Sequence, residues 1–135
     1  MHSLGILFSA TITVLTVIIY FSFAVNVGRM RGKHGIKAPA TSGHAEFERA
    51  FRVQMNTLEQ LAVFLPLLWI ATLFFTPLPW LPAAFGLVWI VGRVLYASLY
   101  MEDPAKRGPG FGLGALASLG LLLLSLIGIG LGFAA

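Results

Sequence analysis

Residues 4–27 read LGILFSATITVLTVIIYFSFAVNV and contain no Asp, Glu, Lys or Arg. About 20 predominantly apolar residues are enough to cross a bilayer as one helix. Uncharged stretches recur at residues 60–92 and 108–135. The whole chain of 135 residues is 58% hydrophobic and only 10% charged, whereas soluble domains carry about 25% charged residues. These features predict an integral membrane protein and exclude a soluble enzyme, a disordered tail and a nucleic-acid-binding domain.

Turn-forming residues divide the chain into four predicted spans. We expect them at about residues 4–27, 61–75, 83–100 and 111–133, with the second helix extending back to about residue 44. The first loop contains five residues that are expected to interrupt any helix: Gly28, Gly32, Gly35, Pro39 and Gly43. The predicted fold is an all-α, four-transmembrane-helix bundle, with residues 1–135 as a single domain.

The charged residues all lie in the first loop, the third loop, or helices 2 and 3. The positive-inside rule therefore places loops one and three in the cytoplasm and both termini on the opposite side. The first span has no preceding basic region, so it is interpreted as a retained span and not as a signal peptide. The chain has no cysteine and its three histidines, His2, His34 and His44, lack metal-ligand spacing. No metal site is expected, and the histidines are assigned to the terminus and the first loop.

Polar side chains recur at helical spacing in the second and third helices. At about 100° per residue, one narrow sector of helix 2 carries four of them: Arg49, Arg52, Asn56 and Glu59. Helix 3 has a second polar face, which is followed by one more arginine: Arg93, Tyr96 and Tyr100, then Arg107. Both faces are expected to point into the bundle, because ionisable residues within a membrane rarely face lipid.

Arg93 requires a partner, since an arginine at the centre of a span costs about 2.5–3.5 kcal/mol on insertion scales. Glu59 is the expected partner, and on a purely structural interpretation this ion pair only locks helices 2 and 3 together. A single carboxylate does not balance all the arginines of the two faces, so the excess positive charge predicts an anionic ligand. A small acidic peptide fits, with carboxylates for the arginines and an amine for Glu59; glutathione is the cellular example.

Two motifs resemble a known family. Residues 47–59, FERAFRVQMNTLE, and residues 89–97, WIVGRVLYA, resemble the MAPEG family, the membrane-associated proteins in eicosanoid and glutathione metabolism. Within the family, the second motif looks most like the branch of microsomal glutathione S-transferase 3. The resemblance implies a homotrimer of four-helix bundles, with glutathione bound as co-substrate between neighbouring subunits near the cytoplasmic face.

The resemblance also implies roles for individual residues. Five residues of one subunit would hold glutathione: Arg52, Asn56 and Glu59 from helix 2, and Tyr96 and Tyr100 from helix 3. Arg49 and Arg93 share these polar faces, and we expect them to contribute to the same site. Gln54 lies across helix 2 from this face, so a second subunit would contribute it. Arg29, with Arg31 as the alternative, would take part from the end of the first span. Arg107 would be catalytic, facing the glutathione sulfur and stabilising its thiolate.

The implied activity is that of a glutathione transferase or peroxidase acting on a hydrophobic electrophile or a lipid hydroperoxide in the bilayer. One departure from the family is Gln60, which follows Glu59 where leukotriene C4 synthase has a tyrosine. Two alternatives stay open: a non-catalytic lipid-binding scaffold, and a small transporter or channel subunit. The arginine set disfavours the scaffold, and the lack of charged residues in spans one and four disfavours the transporter.

Overall fold

A computed structural model of the protein describes residues 3–135, which form four long helices joined by short connections. They are α1 (Leu4–His34), α2 (Ala45–Phe74), α3 (Leu81–Glu102) and α4 (Gly108–Ala134), with a 3₁₀ turn (Pro104–Arg107) between α3 and α4. Each of the four is long and apolar enough to cross a membrane. The predicted all-α, four-span membrane fold is therefore confirmed; His2 lies outside the described residues.

The first helix is longer than the sequence predicted. It begins after Ser3, whose hydroxyl accepts a hydrogen bond from the Ile6 N–H at 3.2 Å. It then continues without a break through Gly28 and Gly32, so the expectation that these glycines interrupt the helix was wrong. A glycine inside a helix costs only about 1 kcal/mol, which the surrounding helix tolerates. The helix ends at Gly35, which adopts a left-handed conformation with φ of 65°.

Hydrogen bonds to serine and threonine hydroxyl groups hold α1 against α2 inside the membrane. The hydroxyls of Ser9 and Thr72 lie 2.7 Å apart, and the Trp69 indole donates to the Thr13 hydroxyl at 3.0 Å. Burial of apolar surface does little to drive helices together in lipid, so such contacts and close packing carry the association. Deeper in the bundle, the rings of Phe64 and Trp89 stack with their centroids 4.3 Å apart.

Helices α3 and α4 approach so closely that only glycine fits at the contact. A Cβ placed on Gly110 would lie 2.3 Å from the backbone nitrogen of Tyr96, and one on Gly92 would lie 2.8 Å from the backbone nitrogen of Gly114. The close spacing of glycines in α4 therefore serves packing within the chain at this level. Because the contact includes Tyr96 itself, it also sets where the polar face of α3 stands relative to the start of α4.

Candidate functional site

A cavity of about 400 Å³ opens at the charged end of the bundle, where α2, α3 and the 3₁₀ turn meet. The residues that line it come from three parts of the chain: Arg52 and Asn56 from α2, Tyr96 and Tyr100 from α3, and Arg107 and Phe111 from the turn and the start of α4. The helical spacing of the polar residues brings them together because α2 and α3 pack side by side. Five of the six lining residues belong to the set predicted from the sequence.

Glu59 stands at the edge of this cavity and is the carboxylate associated with it. Its side chain forms an ion pair with Arg52 at 3.5 Å, and both side chains are about half exposed, at 54% and 48%. The Asn56 side-chain nitrogen also donates to Glu59, at 3.4 Å. Exposed pairs of this kind contribute little to stability, so this ion pair holds Arg52 and Glu59 together only weakly.

Arg93 lies behind the cavity, and its observed partner differs from the predicted one. Its guanidinium donates to the side-chain oxygen of Asn56 at 2.9 Å and lies 4.0 Å from the centre of the Tyr96 ring. The expected Arg93–Glu59 ion pair is therefore wrong: Glu59 pairs with Arg52 instead. Only 3% of Arg93 is exposed, and its guanidinium contacts an amide oxygen and an aromatic ring instead of a carboxylate.

Arg107 reaches the cavity from the short turn between α3 and α4. The turn is closed by Asp103, whose carboxylate accepts from the Ala105 N–H at 3.0 Å. Arg107 donates to the Pro104 carbonyl at 3.0 Å, which ties one guanidinium nitrogen to the same turn. The adjacent Lys106 pairs with Glu102, and this hydrogen bond raises the pKa of the Lys106 ammonium. Of these two neighbouring cations, Arg107 is the one that lines the cavity.

Two predicted helix 2 residues have other partners within the chain. Arg49 donates to the carbonyls of Met101 and Glu102, at 3.2 and 3.3 Å, and so satisfies the C-terminal end of α3. Gln54 donates to the Tyr20 hydroxyl of α1 at 3.3 Å.

The two arginines at the end of α1 also lie away from the cavity of their own chain. Arg29 is exposed, whereas Arg31 donates to the Ala40 carbonyl at 2.7 Å and lies 4.8 Å over the Phe47 ring. The cavity is lined by no residue of α1.

Phe111 lines the cavity and was not predicted. Its ring is tilted against Tyr96 with the centroids 6.5 Å apart, and Tyr96 in turn stacks on Tyr100 at 5.4 Å. Phe111 is the first aromatic residue after Arg107, one helical turn away at the start of the apolar α4. That position, at the boundary between the charged turn and the apolar helix, is the signal that would have identified it.

The fold and the cavity together define a multi-pass membrane protein with an arginine-lined site at the polar end of its helices. The sequence model of the MAPEG family matches residues 9–127. The chain belongs to the MAPEG family, as its two motifs predicted.

Three relatives are informative. An uncharacterized protein of Synechocystis sp. is 46% identical over 124 residues, which cover 92% of this chain and 89% of the relative. Microsomal glutathione S-transferase 2 of Homo sapiens is 40% identical over 88% of this chain and 78% of its own length. Leukotriene C4 synthase of Cavia porcellus is 36% identical over 84% of this chain and 79% of its own length. The finer resemblance to the branch of microsomal glutathione S-transferase 3 stays a prediction.

Proposed function

We propose that the protein is a membrane-bound glutathione transferase that activates the glutathione thiol for attack on hydrophobic electrophiles or lipid hydroperoxides. The observation that carries the proposal is the cavity that brings Arg52, Asn56, Tyr96, Tyr100 and Arg107 together. The names of two relatives, microsomal glutathione S-transferase 2 and leukotriene C4 synthase, support it.

The charge in and behind the cavity matches glutathione in its thiolate form. The charged groups in and behind the cavity are three guanidinium groups and one carboxylate: Arg52, Arg93 and Arg107, and Glu59. Glutathione with an ionised thiol carries two carboxylates, one thiolate and one ammonium, so its net charge is opposite to that of the site and equal in size. The site therefore favours loss of the thiol proton as well as binding of the peptide.

Each polar group of glutathione has a partner of suitable chemistry in the proposed complex. Arg52 takes a carboxylate with its planar guanidinium, and Glu59 releases Arg52 and takes the ammonium. Tyr96 and Tyr100 offer phenolic hydroxyls to the carbonyl and sulfur atoms. Arg107 lies next to the sulfur and is the catalytic residue.

A neighbouring subunit completes the site in this proposal. Gln54 bonds Tyr20 of α1, and neither Gln54 nor Arg29 lines the cavity of its own chain, so in this proposal both reach glutathione only from another copy. In the proposed homotrimer, these residues of one copy lie at the cavity of the next. With loops one and three in the cytoplasm, glutathione enters from the cytoplasmic side.

Stabilisation of the thiolate is the main contribution of the site to catalysis. A free thiol of this type has a pKa of about 8.5, and lowering it by two units requires about 2.7 kcal/mol of preferential stabilisation. A guanidinium about 4 Å from the sulfur supplies about 4 kcal/mol at the effective dielectric of a protein surface. Arg107 is therefore sufficient for this shift.

The chemical step differs between the two classes of second substrate. With an electrophile, the thiolate forms a carbon–sulfur bond while the leaving group departs with the bonding electron pair. With a hydroperoxide, the thiolate attacks the terminal oxygen, so an S–O bond forms while the O–O bond breaks, and the alkoxide takes a proton. The thiolate of a second glutathione then attacks the sulfur of the resulting sulfenic acid, which forms the disulfide and releases water. The apolar substrate arrives from the bilayer past Phe111, where the cavity borders the apolar part of α4. Holding both reactants at this boundary adds to the rate.

The experiment that tests the proposal measures glutathione binding by calorimetry on detergent-purified wild type, Arg52→Ala and Lys106→Ala. Arg52 lines the cavity, whereas Lys106 pairs with Glu102 and does not line it, so binding is expected to be lost in the first variant and retained in the second. Thiolate absorbance is followed in parallel for wild type, Arg107→Lys and Arg107→Ala. We expect the signal to decrease in that order, because lysine keeps the charge and loses the planar fork.

Absence of saturable binding by the wild type at millimolar glutathione would contradict the proposal and leave the lipid-binding scaffold as the alternative. Binding without any thiolate signal would remove the catalytic role of Arg107 while leaving glutathione as ligand.

A further inference from the structure

We infer that Arg93 is a positioning residue that fixes Asn56 as a hydrogen-bond donor in the cavity, so that the ligand must present an acceptor oxygen there. The inference rests on the proposed function, since it assigns a specificity to the same site. It concerns a residue that the sequence placed in the ligand set but that lies behind the cavity wall.

The orientation of the Asn56 amide follows from the chemistry of its neighbour. An arginine side chain carries only donors, so the atom of Asn56 that faces Arg93 must be the carbonyl oxygen. The two atoms lie 2.9 Å apart, and Arg93 is 3% exposed, so its guanidinium has little access to water. Turning the amide around would set its NH₂ group against a buried guanidinium and would lose a charge-assisted hydrogen bond.

A second neighbour independently favours the same orientation. The Asn56 nitrogen points toward the carboxylate of Glu59, which only accepts hydrogen bonds when ionised, at 3.4 Å. A donor on one side of the amide and an acceptor on the other leave a single arrangement of oxygen and nitrogen. Asn56 lines the cavity; with its oxygen held by Arg93, the second N–H of the amide, the one not directed at Glu59, is the group that we infer it offers there.

The consequence is a rule for the ligand. A carbonyl or carboxylate oxygen next to Asn56 gains a hydrogen bond, whereas a hydroxyl or amine that must donate there does not. Arg93 acts without touching the ligand, because it bonds the Asn56 oxygen from the side away from the cavity. Its guanidinium also packs on the Tyr96 ring at 4.0 Å, which keeps Arg93 and Tyr96 in place. Glutathione has peptide carbonyls and carboxylates that meet the rule.

The test uses Asn56→Asp, which keeps the shape of the side chain and the oxygen that faces Arg93 but replaces the donor with an acceptor. We expect thermal stability close to that of the wild type, because the buried guanidinium gains a counter-ion while the new carboxylate meets that of Glu59 at the present 3.4 Å contact. We expect glutathione affinity, measured by calorimetry, to fall about tenfold or more, because the ligand oxygen now meets a carboxylate.

Arg93→Met and Arg93→Lys test the positioning role itself. Arg93→Met removes one positive charge behind the cavity and also frees the Asn56 amide to rotate. It therefore weakens glutathione binding more when Asn56 is present than in the Asn56→Asp background, where no amide is left to orient. Arg93→Lys keeps a charged donor at the same place and restores part of the affinity. A role confined to stability predicts a lower unfolding temperature for Arg93→Met with no change in the dissociation constant.

The outcomes separate this inference from the proposed function. Wild type that binds glutathione together with an Asn56→Asp variant that binds it equally well would overturn the inference and leave the proposed function intact. Additive effects of Arg93→Met and Asn56→Asp on affinity would overturn it as well. Wild type without glutathione binding would overturn both.

Discussion

The contact between α3 and α4 leads to a prediction about both stability and activity, through the substitution Gly110→Ala. The added methyl group would lie 2.3 Å from the backbone nitrogen and 2.6 Å from the Cα of Tyr96, and 2.7 Å from the Gly92 carbonyl oxygen. All three atoms are backbone, so no flexible side chain can move aside. The two helices must separate.

The size of the effect follows from these distances. Ordinary van der Waals contact for a Cβ begins at 3.4 Å, so α4 has to move away from α3 by about 1 Å. Overpacking of this kind costs about 1–3 kcal/mol. The movement also displaces Tyr96 relative to Phe111 and Arg107, and misplacement by about 1 Å lowers turnover by up to about 100-fold.

Gly112→Ala is the matched control, because it lies on the same helix and a Cβ there has no neighbouring atom within 4 Å. Both substitutions gain about 0.8–1 kcal/mol of helix propensity, so the difference between the two variants isolates the contact. The assay is thermal unfolding of the detergent-purified protein followed by circular dichroism, together with glutathione conjugation of a hydrophobic electrophile. Gly110→Ala should unfold at a lower temperature than Gly112→Ala and turn over more slowly. Equal unfolding temperatures and equal turnover in the two variants would refute the reasoning.

Two further predictions concern side-chain contacts between α1 and α2. Hydrogen bonds from Lys33 and His34 lower the pKa of Glu46, which lies outside the apolar part of α2, from 4.5 to about 2. A carboxyl group with a lowered pKa stabilises the fold above pH 4.5 and loses this contribution as the pH falls toward 2. Acidification over that window should therefore lower the unfolding temperature of wild type more than that of Glu46→Gln, and equal losses would contradict the assignment. Trp69→Phe removes the hydrogen bond to Thr13 and should destabilise the protein by about 0.6 kcal/mol; in a Thr13→Val background the same substitution should have a smaller effect.

The membrane fold and most of the cavity were predictable because charge is expensive in lipid. Uncharged runs of sufficient length have only one role in a chain of this composition, so the three runs, together with the turn-forming residues that divide the middle one, predict four spans. The same cost forces polar residues of helices 2 and 3 to face inward, so helical spacing alone grouped Arg52 with Asn56 and Tyr96 with Tyr100. Arg49 belongs to the same sector of its helix, yet it bonds the end of α3 because it lies one turn too far from the apolar zone.

The length of α1 was not predictable from the glycines that follow the first span. Sequence reasoning treats each glycine as a break, but Gly28 and Gly32 only lower the local helix propensity, and nothing nearby requires a turn there. Gly35 differs because the chain reverses direction at that point and needs a left-handed residue. A glycine that ends a helix and one that is merely tolerated look the same until the path of the chain is known.

The partner of Arg93 could not be predicted from the sequence for a related reason. Helical spacing determines which face of a helix a residue occupies, but not its level relative to residues of the neighbouring helix. Here that level brings Arg93 beside Asn56, one turn from Glu59. At that level the donor-only guanidinium contacts an amide instead of a carboxylate, and Glu59 pairs with Arg52 at the edge of the cavity. The misassigned ion pair and the proposed donor role of Asn56 therefore have one physical origin, the relative height of two helices.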